Sequence, residues 1–63
     1  MKIVVFNYYP EYKMWVYKDL RLQEIEEQRW TLTIKHECQI YESIYDAMNK
    51  LTQIGLNPTF HAS

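Results

Sequence analysis

The chain has 63 residues, with seven Lys and Arg against eight Asp and Glu, for a formal net charge of −1. That length allows a single small domain over residues 1–63, and the near-balance of charge supplies no general field to draw phosphates or acidic lipids. A hydrophobic share of 48% excludes a wholly disordered polymer.

Lys2 is followed by only four apolar residues, Ile3 to Phe6, before Asn7. Such a run is too short for the core of a secretory leader or for a bilayer span, so a cytoplasmic setting without a membrane partner is expected. The β-branched and aromatic content of Lys2 to Tyr8 predicts a strand. Pro10 suits the second position of a type I turn and Lys13 to Leu20 resumes the pattern, which makes the first two strands antiparallel neighbours. Strand one is apolar on both sides, as in a central strand covered twice. A second copy, another protein or the tail around Phe60 is expected to provide the second cover.

Between Asp19 and Arg29 two signals conflict. Leu20 to Gln28 contains good helix formers, yet its first residues alternate. The absence of Gly, Pro and Asn there argues against a tight hairpin, and a short helical turn or irregular crossover is the expectation. Arg29 to Cys38 then alternates strictly, placing Trp30, Leu32, Ile34, His36 and Cys38 on one face of a half-buried strand.

The C-terminal helix has the clearest signals. Ser43 and Asp46 have capping-box spacing, and Ile44, Ala47, Met48, Leu51 and Ile54 form one apolar stripe over a helix from Ile44 to Ile54. Gly55, the only glycine, falls where a left-handed residue ends a helix, and Asn57-Pro58 prevents continuation. The expected fold is therefore α+β: a three-stranded, mainly antiparallel sheet in β-β-β-α order with the helix packed on one face. This order, ending in a capped helix, resembles the antitoxin halves of toxin–antitoxin pairs with partial RNase H-like sheets. Their glycine-containing turns are absent here, and no residue role is carried over.

Ten residues are aromatic, and Phe6, Tyr8, Tyr9, Tyr12, Trp15 and Tyr17 all fall in the first seventeen positions. A chain this short buries only ~60% of its unfolded surface, so some of these rings must meet solvent or a partner. Tyr and Trp combine an apolar body with a polar tip and dominate binding hot spots. If the helix covers Trp30, Leu32 and Ile34, strand two contributes Met14, Val16 and Leu20 to that layer. Trp15 and Tyr17 then point outward as anchors, surrounded by Tyr8, Tyr12, Arg29 and Lys35.

These residues predict a small regulator or inhibitor, and the chain's size, with the resemblance above, extends the expectation to an antitoxin-like protein of bacterial or phage type. It would act by stoichiometric binding to another protein, or to itself as a homodimer. The alternative is single-stranded nucleic-acid binding, with Trp15 and Tyr17, joined by Tyr9 or Tyr12, stacking on bases while Lys13, Arg29 and Lys35 meet phosphates. Against it stands the lack of a basic groove. No catalysis, metal or cofactor is expected. His36 and Cys38 are two ligands where a zinc site needs three or four, Cys38 has no disulfide partner, and Glu24, Glu26 and Glu27 read as a solvated acidic stretch. One glycine also excludes phosphate-cradling loops.

Overall fold

The computed structural model describes residues 1–62. Its elements in chain order are β1 (Lys2–Tyr9), β2 (Met14–Tyr17), β3 (Leu20–Glu26), β4 (Arg29–Ile34), β5 (Glu37–Tyr41), α1 (Ile44–Gln53) and β6 (Leu56–His61). The strands form one six-stranded sheet in the order β5-β4-β3-β2-β1-β6. β1 to β5 make an antiparallel meander. α1 then returns the chain to the opposite edge, where β6 runs parallel to β1 with Lys2 opposite Leu56 and Asn7 opposite His61. The α+β class and the antiparallel pairing of the first two strands agree with expectation. The three-stranded sheet does not, and is corrected to a six-stranded mixed one.

The extra strands come from reversals that carry no glycine. Lys18, Gln28 and Lys35 have φ of 49°, 66° and 58°, a left-handed conformation that costs an L-residue roughly 1–2 kcal/mol. Pairing of the flanking strands offsets that cost. Tyr17 pairs with Leu20 across the first reversal, Glu26 with Arg29 across the second and Ile34 with Glu37 across the third. Residues 20–28, expected as a helical turn or crossover, are therefore β3 and the turn that follows it. The run from Arg29 to Cys38 is likewise two strands joined at Lys35 and His36. The tail around Phe60 extends the sheet as β6 instead of covering a face.

Each reversal inverts the alternation that an unbroken strand would keep. Leu20, Leu22 and Leu32 are buried on the helix side together with Val4 and Phe6 of β1, and Ala47 and Leu51 of α1 complete the core. Trp15 lies opposite Leu22, and Tyr17 opposite Leu20, so both rings belong to that covered layer. Met14 and Val16 alternate onto the other face. The orientation expected for β2 is thus reversed. Cys38 is displaced in the same way, opposite Thr33 and away from the face of Trp30. β1 is covered on one side only, since Ile3 remains 64% exposed while Val4 is buried.

α1 is one residue shorter than expected and is capped as its sequence indicates. Ser43 Oγ accepts the Asp46 amide at 3.2 Å, satisfying one of the free donors at the helix start. Gly55 takes φ +88° and its amide donates to the Thr52 carbonyl at 3.0 Å. The Lys2 amide donates to the Gly55 carbonyl, also at 3.0 Å, tying the helix end to the start of β1. Ala47 and Leu51 are buried, whereas Ile54 is 45% exposed, so the apolar stripe ends one turn early. Among the described residues no helix is long and apolar enough to cross a membrane.

Candidate partner-binding face

The helix packs against β4, β5 and β6 on one side of the sheet. Beyond it, on that same side, the aromatic residues of β1, β2 and β6 pack on one another. Tyr8 and Trp15 have ring centroids 4.7 Å apart, Trp15 and Phe60 meet edge to face at 5.1 Å, and Phe60 stacks on the buried Phe6 at 5.5 Å. Tyr17 reaches Phe6 edge to face at 6.5 Å. These contacts extend the core sideways, in geometries that add to simple area burial. Trp15 and Tyr17 are consequently half-buried structural rings, and the outward orientation expected for them is not found.

The six residues expected to form one patch are spread over the molecule. Tyr8 and Trp15 are brought together under the aromatic layer, with Tyr17 beside them. Tyr12, 60% exposed, projects from the loop between β1 and β2. Arg29 begins β4 and pairs with Glu26 at 3.7 Å. Lys35 follows the other end of β4, and with Lys2 and Lys18 it lines a cleft of ≈ 200 Å³ over Val4, Leu20 and Ile34. Six strand residues separate Arg29 from Lys35 by about 20 Å, too far for one small contact.

The opposite face of the sheet is uncovered. Cross-strand pairing sets its side chains in two adjacent rows: Asn7, Val16, Arg21, Thr33 and Cys38, then Tyr9, Met14, Gln23, Thr31 and Ile40. Ile3 and Val5 continue the face along β1, at 64% and 43% exposure, and Ile40 is 63% exposed at its far side. Arg21 is the only charge in the two rows. Across β1, β2 and β3, Tyr9, Tyr12, Met14, Val16 and Arg21 enclose a notch of ≈ 220 Å³. An apolar floor, two phenol rings and one guanidinium can receive an apolar or aromatic side chain and hold a carboxylate beside it.

Apart from Tyr12, the sequence expectation missed this notch. Its signal was present in the alternation of Tyr9, Met14 and Val16 with their neighbours. The pattern reads to the opposite side when Lys18-Asp19 is taken as continuing strand, since Asp19 is the only turn-favouring residue there and no glycine or proline marks the reversal.

Charge is segregated along the strand axis. The end holding Lys2, Lys18, Lys35 and the last helical turn with Lys50 carries only Asp19 and Glu37 as acids. Glu11, Glu24, Glu26, Glu27, Glu42 and Asp46 lie at the other end, where Lys13 and Arg29 are the bases. The net charge of −1 therefore conceals a basic and an acidic pole.

No family model matches the chain. Neither a curated protein nor a solved structure matches it.

Proposed function

We propose that the chain is a small protein-binding module that regulates or inhibits another protein by stoichiometric contact through its open sheet face. The observation that supports this most is the uncovered face itself, where Ile3, Val5, Tyr9 and Ile40 remain 43–64% exposed around a single arginine. Ile3, Val5 and Tyr9 lie together along β1, with Ile40 at the far edge, and monomeric proteins seldom leave contiguous apolar side chains in water unless a partner covers them. The placement of Arg21 specifies that partner further. Arg21 stands between Val16 and Thr33, with Tyr9 and Met14 on one side; a guanidinium so placed is costly to bury unpaired and favourable to bury against a carboxylate, so the complementary surface carries an acidic side chain beside apolar ones.

The nucleic-acid alternative draws no support from this geometry. Trp15 and Tyr17 are turned into the helix-side layer, which leaves Tyr9 and Tyr12 as the exposed rings of that reading, and one arginine in two rows cannot follow a phosphate backbone.

Affinity capture from the native source with the wild-type chain, Arg21→Glu and the helix-surface control Asn49→Glu tests the reading. One protein retained stoichiometrically by wild type and control but lost with Arg21→Glu is the expected outcome. Retention by all three, or recovery of nucleic acid alone, contradicts it.

A further inference from the structure

The sheet has two edges, and they are unequal. β6 carries Pro58 at mid-strand, which offers no N–H to a neighbouring chain, and thereby blunts its edge. β5 carries neither Pro nor Lys nor a bulge. Its residues Glu37 to Gln39 are exposed, Ile40 is 63% exposed, and among the described residues no backbone hydrogen bond reaches it from the outer side. An edge of this kind is a template for another strand.

We infer that β5 pairs antiparallel with β5 of a second copy, Gln39 opposite Gln39, to join two sheets into one of twelve strands across a twofold axis. Three features favour a second copy as occupant. The twofold inverts the strand axis, so the basic pole of each copy lies beside the acidic pole of the other. This register pairs all five residues of β5, whereas a slip of two residues either way pairs three. Within it Glu37 faces Tyr41 and His36 faces Glu42, so no like charges stand opposite one another. Cys38 faces Ile40, adding apolar contact on the open side.

An edge-to-edge contact is small beside the ~1,200–2,000 Å² of a standard interface. The dimer is accordingly weak, forming at micromolar concentrations and above. It covers Cys38 and Ile40 at the β5 margin and leaves the β1 to β3 part of each open face, with Val5, Tyr9 and Arg21, free as two copies of the partner-binding surface. The inference stands independently of the proposed function: a monomer that still captures its partner overturns only the dimer, and a dimer that captures nothing overturns only the function.

The test is the mass of the purified full chain by light scattering from tens to hundreds of micromolar. Wild type is expected to rise from 7.8 kDa toward twice that value. Ile40→Lys, which places a charge on the exposed edge without altering the bonds of β5 to β4, is expected to stay monomeric with an unchanged circular dichroism spectrum. A second variant fixes the register. With Cys38→Ser in the background, Gln39→Cys brings two cysteines to about 4.5–5.5 Å between Cα atoms, within disulfide reach, and is expected to crosslink on mild oxidation. Asn57→Cys on the β6 edge is expected not to. The inference is overturned by a wild-type monomer over the whole range, by a dimer that persists in Ile40→Lys, or by crosslinking no faster at position 39 than at position 57.

Discussion

Leu22 and Phe6 are fully buried at the centre of the molecule, between the sheet and Leu51. Folded stability at this length is only about 3–9 kcal/mol on a per-residue basis, and Leu22→Ala leaves a cavity costing about 2–5 kcal/mol. Thermal melting of that variant is expected to show loss of most or all of the cooperative transition. The opposite sign is expected at Gln28 and Lys35, whose φ of 66° and 58° suit glycine better than the residues present. Either substitution to Gly relieves left-handed strain and loses part of the gain to the freer unfolded chain, for a net of about 0.5–1 kcal/mol, read as a melting point several degrees higher. A lower melting point would show that these side chains hold their turns through contacts of their own.

At the scale of elements, α1 was legible because each of its signals is local. Ser43, the stripe from Ile44 to Leu51 and Gly55 all act within a few residues, and each is found in its expected role. Ser43→Ala is expected to cost about 1 kcal/mol, measured as an earlier denaturant midpoint with unchanged slope. The strands were legible as extended segments but not as separate ones. Alternation in Arg29 to Cys38 reads as one strand, yet the two-residue reversal at Lys35 and His36 puts Ile34 on the same face as Glu37 and sends Cys38 to the other side, a change of parity with no glycine or proline to mark it. The turns at Lys18-Asp19, Glu27-Gln28 and Lys35-His36 hold neither glycine nor proline, and Asp19 alone among them favours a turn, so the pairing of β2 to β5 is what defines them. The same blindness turned Trp15 and Tyr17 outward and hid the notch around Arg21.

For the whole molecule, the consequence is a division of labour between two faces. The helix side holds a core extended sideways by Tyr8, Trp15 and Phe60, and the open side offers a mixed apolar and polar surface with Arg21 near its centre. Trp15→Ala is therefore expected to lower thermal stability by about 3–5 kcal/mol, in contrast to the loss of binding with intact fold that a surface anchor would give. Aromatic abundance did signal a surplus of amphipathic rings. Tyr9, Tyr12 and Tyr45 do remain exposed, as that surplus implies, whereas Tyr8, Trp15, Tyr17 and Phe60 pack around Phe6 and aliphatic Ile3, Val5 and Ile40 are left in water.

The most direct test of the binding face is amide chemical-shift mapping of the labelled chain titrated with its captured partner. Shifts clustered at Val5, Tyr9, Val16, Arg21 and Thr33, with the outer surface of α1 unmoved, are what the account expects. Shifts concentrated at Tyr45, Asn49 and Gln53 instead would place binding on the helix and contradict it.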